Sequence, residues 1–206
     1  EGNQSYGIGV DSGIDGEIRI LGSINVTGNQ SYGLRTTAPV NGDIVLSRGN
    51  IAVVGEDSVG VAIDGDVTGR FNLQSSVNAT GYRFTGRPAN APDNAGDLNS
   101  SFLFLEDLDA DDLLQGGPAL RIAGNVGAGV VLDTEPTYLQ GGLEGDDDRD
   151  GVRNGDEDDD GDGILNRNDN DRDGDGIIDA DETTSRLTVS GGAPGLLVGS
   201  DTRDIT

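Results

Sequence analysis

The first eighty residues alternate between hydrophobic and polar positions in short runs, and the runs recur in units of about 26 residues. The units begin at Gly2, Gly28 and Gly55. Clusters of Gly, Asn, Asp and Ser bound each run, which is the period-2 pattern of strands with one buried face. We therefore predict three strands per unit and an all-β fold. The apolar residues that coincide between units are Ile8, Leu34 and Val61; Ile14, Val40 and Val67; Ile18, Ile44 and Phe71; Ile20, Leu46 and Leu73; and Ile24, Ile51 and Val77.

One unit cannot bury its apolar face, so the units are expected to stack about 4.8 Å apart and cover one another's inward residues. We predict a parallel β-helix, or β-solenoid, with right-handed coils as the default. One unit is a residue longer than its neighbours, and the extra residue is expected near Arg48. The recurring asparagines are expected in turns, with stacked polar ladders as the alternative. They are Asn3, Asn25, Asn29 and Asn78.

The repeat pattern stops and resumes twice, so the chain is predicted to carry two insertions. Residues 119–126 match residues 60–67, and Val130 and Leu132 correspond to Phe71 and Leu73. Residues 187–189 supply the third strand of that coil, and residues 192–198 open another. We therefore expect residues 1–206 to form a single solenoid segment of a longer chain, with insertions at residues 86–115 and 133–186.

The first insertion, residues 86–115, is expected to hold a hairpin and one short helix. Two apolar runs flank a loop rich in Pro, Asn and Gly, which indicates a hairpin. Residues 109–115 begin with Asp and are followed by Gly116, which suits a short helix. A small satellite core is the favoured role of the aromatic residues here, and a ligand platform is the alternative. These residues are Tyr82, Phe84, Phe102 and Phe104.

The second insertion carries the strongest chemical signal. Residues 146–182 contain seventeen acidic residues and four Arg, in three consecutive loops of the form D-x-D-x-D-G-x-x-[DN]-x-x-[DE]. Alternate carboxylates, a backbone carbonyl at position 7 and a carboxylate at position 12 provide the six to eight oxygens that Ca²⁺ requires, and Gly at position 6 permits the sharp turn. We predict three or more calcium ions. The predicted ligands are Asp146, Asp148, Asp150, Val152, Asn154 and Glu157; Asp158, Asp160, Asp162, Ile164, Asn166 and Asp169; and Asp171, Asp173, Asp175, Ile177, Asp179 and Glu182.

A solvated acidic linker is the alternative for this segment, because blocks of like charge are usually disordered. The recurrence of Gly151, Gly163 and Gly176 at one loop position, each followed by an apolar residue, favours calcium loops. One loop runs directly into the next, so paired EF-hands with flanking helices are not expected. The segment resembles the thrombospondin type 3 family of calcium-wrapped repeats. That resemblance implies a compact coil that has little apolar core and is ordered around its ions.

Composition narrows the function classes. A net charge of −25 argues against binding to nucleic acid or anionic membranes and favours a calcium-rich exterior. No apolar run reaches the roughly eighteen residues of a transmembrane helix. The chain lacks Cys, His and Lys, and so lacks the usual general bases and nucleophiles other than hydroxyls and carboxylates. We assign no catalytic residue and expect no enzyme activity.

The coil motif G-x-x-S-[YV]-G-[ILV], residues 113–126, and the return to residues 187–200 after an acidic insertion together resemble passenger regions of large autotransporter-type surface proteins of Gram-negative bacteria. The resemblance implies an extracellular passenger, exported through the outer membrane by a C-terminal barrel beyond residue 206. It transfers no catalytic residue.

Three function classes remain open in this order. The first is a non-enzymatic, calcium-stabilised structural element of a secreted or cell-surface protein, such as a fibre, a stalk or an S-layer-like lattice. Its partners would be calcium and further copies or neighbouring repeats of the same protein. The second is an adhesin that binds host or glycan ligands. The third is a β-helix enzyme acting on polysaccharides.

Overall fold

The computed structural model describes residues 4–81, 116–133, 142–146, 149–181, 183–190, 192–200 and 204–205. Secondary structure in these ranges consists of strands and three single-turn 3₁₀ helices, at Gly142–Glu144, Asn154–Asp156 and Asp179–Asp181. The prediction of an all-β chain is confirmed for this part of the protein. The hairpin, the short helix and the aromatic cluster predicted around residues 86–115 lie outside the described residues.

Thirteen strands are described, and most are shorter than six residues because turns interrupt the chain so often. They are β1 (Tyr6–Val10), β2 (Ile14–Asp15), β3 (Ile18–Ile20), β4 (Ile24–Thr27), β5 (Tyr32–Thr36), β6 (Val40–Asn41), β7 (Ile44–Val54), β8 (Val59–Ile63), β9 (Phe71–Thr80), β10 (Leu120–Ile122), β11 (Val130–Leu132), β12 (Arg186–Val189) and β13 (Leu196–Val198).

The described strands form three parallel sheets. The first sheet has the order β1-β5-β8-β10-β13. The second has the order β3-β7-β9-β11, with β4 paired to β7 and β12 paired to β9. The third joins β2 to β6 and is continued by single bridges from Val40 to Val67 and from Val67 to Val126. Neighbouring strands in each sheet therefore come from successive repeat units.

The strand register confirms the predicted alignment of apolar residues between repeat units, in which equivalent residues form columns across a sheet. Ile8 pairs with Leu34 and Leu34 with Val61 in the first sheet. In the second sheet Ile44 pairs with both Ile18 and Phe71. The resumption of the pattern is confirmed as well, by the pairs Leu120–Val61, Val130–Phe71, Leu187–Val77 and Leu196–Leu120.

The inward columns form one apolar cluster that runs through the described units. Leu34, Ile44, Phe71 and Leu73 are completely buried. Burial of a side chain of this size stabilises the fold by about 1.5 to 3 kcal/mol. Ile18 is only partly buried, because β3 has a paired neighbour on one side alone among the described strands. The stability of each unit thus depends on the units stacked against it.

Two residues of the coil motif have a packing role. The second glycine recurs as Gly7, Gly33 and Gly60, and a Cβ atom at Gly33 would collide with the side chain of Ile51. The motif serine forms a ladder, since the Ser31 Oγ accepts from the Ser5 amide and the Ser58 Oγ accepts from the Ser31 amide, both at 3.0 Å. The motif therefore holds the first sheet close to the second.

The extra residue predicted near Arg48 is found there. The β7–β9 register shifts between Ser47 and Asn50. Arg48 and Gly49 have φ values of +49° and +97°, so both take the left-handed conformation that a bulge of this kind requires.

The turn assignment of the asparagines is only partly correct. Asn29 lies in a turn, and its Oδ1 accepts from the Glu56 amide at 3.0 Å. Asn25 and Asn78 instead lie within strands β4 and β9. The Asn78 Nδ2 donates to the Asn50 Oδ1 at 2.5 Å, but Ala52 lies between Asn25 and Asn78 in the sheet, so these residues form no continuous ladder. Both side chains lie on the outward face of their strands, where polar groups can form hydrogen bonds between neighbouring repeat units. Asn3 lies outside the described residues.

Candidate metal centres

The three acidic loops share one backbone conformation. Their position-6 glycines, Gly151, Gly163 and Gly176, have φ values of +94°, +91° and +89°. Each glycine amide donates to the Oδ2 of the first aspartate of its loop, which is Asp146 at 3.1 Å, Asp158 at 3.0 Å and Asp171 at 3.0 Å. Only glycine takes this conformation without strain, which explains its recurrence.

A second contact also repeats in every loop. The amide at position 7 donates to the Oδ1 at position 5 at 2.7 Å in each case, from Val152 to Asp150, from Ile164 to Asp162 and from Ile177 to Asp175. Position 3 is held similarly, because the Asp160 Oδ1 accepts from the Asp162 amide at 3.0 Å and the Asp173 Oδ1 from the Asp175 amide at 3.3 Å. The loop backbone therefore fixes the carboxylates of positions 1 and 5 in all three loops, and that of position 3 in the second and third loops.

The second loop brings its first three predicted ligands together. Carboxylate oxygens of Asp158, Asp160 and Asp162 all lie within 4.8 Å of one another, close enough to share a metal ion. Asp158 and Asp162 are exposed, as is Ile164 at 45%. Position 12, Asp169, is half-buried.

The third loop forms a different cluster, which includes a residue that the sequence did not predict. Oxygens of Asp173 and Asp175 lie within 4.8 Å of each other and of an Asp133 oxygen. Asp133 directly follows β11, at the point where the chain leaves the second sheet. Its amide donates to the Leu73 carbonyl at 3.0 Å, and its carbonyl accepts from the Ser185 amide at 2.8 Å. The backbone at the base of the insertion thus fixes the position of this carboxylate.

The residue at position 9 closes each loop through a backbone hydrogen bond to the start of the same loop. The amides of Asn154, Asn166 and Asp179 donate to the carbonyl before position 1 of their own loop, at 2.8, 2.8 and 2.7 Å. Asn154 and Asn166 are 4% and 1% exposed. The Asn166 Oδ1 accepts from the Asp159 amide at 3.2 Å, and its Nδ2 donates to the Asn154 carbonyl. In the third loop the Asp179 Oδ1 accepts from the Arg172 amide at 3.1 Å.

These position-9 side chains were predicted as ligands, and the described contacts give them a role in loop closure. Whether they also bind an ion stays a prediction. The same holds for Glu157, which is half-buried, and for the carbonyl of Val152, whose side chain is 39% exposed. Asp148 and Glu182 lie outside the described residues.

Two carboxylates at the junction of the second and third loops carry buried oxygens without hydrogen bonds. The Asp169 Oδ2 and the Asp171 Oδ1 are inaccessible to solvent and have no hydrogen-bond partner among the described residues. A buried acceptor left unsatisfied costs about 1 to 3 kcal/mol, and more when it is charged. These two oxygens are therefore free to coordinate a cation.

The electrostatics of the third loop also favour a nearby cation. Burial raises the pKa of Asp171 above the usual range of an aspartic acid, and the nearby charges of Asp175 and Asp169 add to the rise. Burial likewise raises the pKa of Asp173, with further contributions from Asp175 and Asp133. A cation close to these carboxylates would favour their ionised form.

The third loop also contacts the outer face of the second sheet. The Asp175 Oδ2 accepts from the Asn72 Nδ2 and from the Gln74 Nε2, each at 2.9 Å. The Arg19 Nη2 donates to the Gly176 carbonyl at 3.3 Å. Ile177 is 1% exposed, whereas the equivalent apolar residues of the first two loops are exposed. An ion pair of 2.6 Å between Arg48 and Asp181 completes the contact.

Over the parts of the chain that the structure describes, no helix has the length and hydrophobicity needed to cross a bilayer.

Comparison of the chain with protein-family models, with curated proteins and with solved structures finds no match.

Proposed function

We propose that this chain is a non-enzymatic, calcium-stabilised structural element of a secreted or cell-surface bacterial protein. The observation that carries the proposal is the threefold repetition of one carboxylate-lined loop conformation, together with the buried, unsatisfied oxygens of Asp169 and Asp171.

The parallel sheets support a β-helix as the frame of this element. Each repeat unit contributes a strand to the first sheet and to the second, and each strand pairs with the equivalent strand of the next unit. The pairing Leu120–Val61 continues this arrangement across the undescribed residues between them. A stack of this kind is stiff and extends by repetition, which suits a fibre, a stalk or a lattice.

Calcium is the proposed ion because the clustered groups are carboxylate oxygens, which hard cations prefer. Two ligands on opposite sides of Ca²⁺ lie about 5 Å apart, and the carboxylate oxygens of the second loop lie within 4.8 Å of one another. Mg²⁺ demands shorter distances and near-ideal octahedral geometry. Residues 146–182 carry seventeen acids and four Arg, and bound Ca²⁺ would offset the net charge of about −13 that remains.

The charged groups on the outer face of the first sheet favour a structural role over ligand binding. Asp64 binds the guanidinium of Arg35 at 2.9 Å and that of Arg121 at 2.8 Å, which links three stacked units. The Arg35 guanidinium lies 4.6 Å from the ring centre of Tyr32, and the Tyr32 ring stacks on Tyr6 at 5.4 Å. These polar and aromatic groups are satisfied by one another along the stack. An adhesin needs an exposed binding face, for which the predicted hairpin from Tyr82 to Leu105 is the candidate, and this hairpin lies outside the described residues.

Isothermal calorimetric titration of calcium into the ion-free protein tests the proposal. We expect uptake of three or more equivalents by the wild-type chain and the loss of one equivalent in Asp158→Asn/Asp160→Asn. The control is Asp11→Asn/Asp57→Asn, which removes the same charge outside the insertion and should bind as wild type. Absence of uptake at about millimolar calcium, the weak limit for extracellular modules, would contradict the proposal.

A further inference from the structure

The acidic insertion is joined to the second sheet at a place where outward-facing strand residues are unusually buried. Asn72 and Gln74 alternate along β9 with the inward-facing Phe71 and Leu73, so their side chains belong to the outer face of the sheet. Both are nevertheless buried, Asn72 at 3% and Gln74 at 0% exposure. Their amide nitrogens donate to the carboxylate of Asp175, so the third loop covers this patch.

Asp133 extends the same patch from the neighbouring strand. β11 pairs with β9 so that Val131 lies beside Asn72, and Asp133 continues past the end of β11. Its carboxylate lies within 4.8 Å of Asp173 and Asp175. Three carboxylates, one from the sheet and two from the insertion, therefore converge on one point.

A second feature independently favours a cation at this point. The Asn72 Oδ1 is buried and has no hydrogen-bond partner among the described residues. The amide is directed at the cluster, since its Nδ2 lies 2.9 Å from the Asp175 Oδ2. Amide geometry then keeps the Asn72 Oδ1 within about 5 Å of that carboxylate. A buried amide carbonyl without a donor is a costly arrangement in a protein interior, and it is also an oxygen ligand that Ca²⁺ accepts.

The geometry points to a calcium site formed jointly by the sheet and the insertion, with Asp133, Asp173 and Asp175 as carboxylate ligands and Asn72 as the buried amide beside them. This inference rests on the proposed calcium-binding function. It differs from that function in assigning a ligand, Asp133, that belongs to none of the three loops. The ion at this site ties the insertion to the stack, whereas an ion in the second loop orders the insertion alone.

Asp175 is suited to a ligand role at this junction because its carboxylate is already held in place. Its Oδ1 accepts from the Ile177 amide at 2.7 Å, and its Oδ2 accepts from Asn72 and Gln74. Hydrogen bonds that orient a ligand raise metal affinity, and their loss typically costs 10-fold to 100-fold. The carboxylates of Asp133, Asp173 and Asp175 lie within 4.8 Å of one another, and three like charges at one point favour a cation among them.

Asp133→Asn tests the inference because it removes one charge and leaves the size of the side chain unchanged. Asp57→Asn is the matched control, since Asp57 is exposed and lies in a turn with φ +52°, which Asn tolerates. We expect calcium titration of Asp133→Asn to show one site weakened by roughly 10-fold or more, with the other sites unchanged. Asp57→Asn should titrate as wild type.

Hydrogen–deuterium exchange of the same proteins reports where the ion acts. In the wild type, calcium should slow exchange in residues 158–166 and also in residues 71–80 and 183–190. In Asp133→Asn, calcium should still slow exchange in residues 158–166, while the response of residues 71–80 and 183–190 is lost. Asp173→Asn, at an exposed position, should give the same separation and provides a second variant that does not disturb the sheet.

The possible results separate the two proposals. If the wild type takes up no calcium, the proposed function fails and this inference fails with it. If the wild type binds calcium but Asp133→Asn and Asp173→Asn keep the full response of residues 71–80 and 183–190, the joint site is wrong while the calcium loops stand. A weakening of every site to the same extent in Asp133→Asn would also overturn the inference, because it would reflect a general loss of charge.

Discussion

The stack of repeat units, residues 4–80, and the acidic insertion are stabilised by different forces. In residues 4–80 the side chains that face inward are apolar, and Leu34, Ile44 and Phe71 have no solvent exposure. In residues 149–181 the only buried apolar side chain is Ile177, and the repeated contacts are hydrogen bonds from backbone amides to carboxylates. The stack is therefore stable through burial, whereas the insertion depends on whatever neutralises its acids.

This difference explains why one chain can combine the two regions. Apolar burial is non-directional and does not depend on ions, so the stack provides a fixed base for the insertion. Carboxylates that converge without a counter-ion repel one another, so we expect the insertion to respond to ion concentration. The two regions meet at Asn72, Gln74 and Asp133, where both kinds of force act on the same residues.

The largest effect is expected from a charge placed in the core of the stack. Ile44→Asp puts an unpaired carboxylate between Ile18 and Phe71, its partners in the sheet, and should cost several kcal/mol in the free energy of unfolding. Calcium cannot restore this loss, because the damaged contacts are apolar. Denaturant unfolding followed by circular dichroism measures the change.

The control for this variant is the neighbouring Asp43→Asn. Asp43 is exposed, and Asn keeps the Oδ1 that accepts from the Arg70 amide at 2.7 Å. Equal unfolding free energies for Ile44→Asp and Asp43→Asn would mean that the strand faces are wrongly assigned.

A smaller effect is expected from Gly163→Ala in the second loop. Gly163 has φ +91° and open space around the position of a Cβ atom, so the substitution acts through the backbone alone. A non-glycine residue in this conformation costs about 1 to 2 kcal/mol, which corresponds to roughly a 10-fold loss of calcium affinity at one site. Calorimetric titration gives the affinity.

Gly22→Ala is the matched substitution in the stack. Gly22 also has open space around it, and its φ lies outside the left-handed region. It should leave calcium affinity unchanged. A similar loss of affinity in both variants, or in neither, would mean that the left-handed conformation of the loop glycines does not control calcium affinity.

The smallest expected effect is a dependence on pH. As the pH rises, the stability of the calcium-free insertion should fall and its affinity for calcium should rise. The pKa values of Asp171 and Asp173 are raised in the folded state, so the folded insertion binds protons more tightly than the unfolded chain. Without calcium its stability should therefore fall as the pH rises from the usual aspartate range through the raised pKa values. With calcium the affinity should rise over the same window, because the ligands must be deprotonated.

Amide exchange of residues 158–181 in EDTA and in calcium, compared from about pH 4 to about pH 7, measures this dependence. Exchange at different pH values must first be corrected for its intrinsic rate. Protection in EDTA that increases with pH would contradict the assigned sign.

The sequence predicted the stack well because position in a repeat determines position in a sheet. Ile18, Ile44 and Phe71 occupy equivalent places in three units and form one column. The loops were predictable for the same reason, since Gly151, Gly163 and Gly176 share one left-handed φ. Asn25 and Asn78 were misplaced because Asn is common in turns, and nothing local distinguishes a turn residue from a residue on the outward face of a strand.

The junction between the two regions was not predictable from the sequence. Asn72 and Gln74 reach Asp175 across more than a hundred residues, and polar residues on the outer face of a strand ordinarily contact solvent. Asp133 is one acid among 38 in the chain, and no local pattern connects it to the loops. The only feature that marks Asp133 is its position directly after β11, where the chain leaves the sheet.

Limited digestion with trypsin in calcium and in EDTA tests the central claim most directly, because the chain provides matched cleavage sites. Residues 146–182 contain four arginines and residues 4–81 contain another four. The sites in the insertion are Arg149, Arg153, Arg167 and Arg172, and those in the stack are Arg19, Arg35, Arg48 and Arg70.

We predict that removal of calcium strongly accelerates cleavage at the four sites of the insertion. Cleavage at Arg35 should stay nearly unchanged, because Arg35 pairs with Asp64 of the stack. Arg19 and Arg48 contact the insertion and Arg70 adjoins β9, so cleavage at these three sites should accelerate to an intermediate extent. Mass spectrometry of the early fragments identifies each site. Equal acceleration at Arg35 and in the insertion, or unchanged cleavage in the insertion, would contradict an ion-dependent insertion on an ion-independent stack.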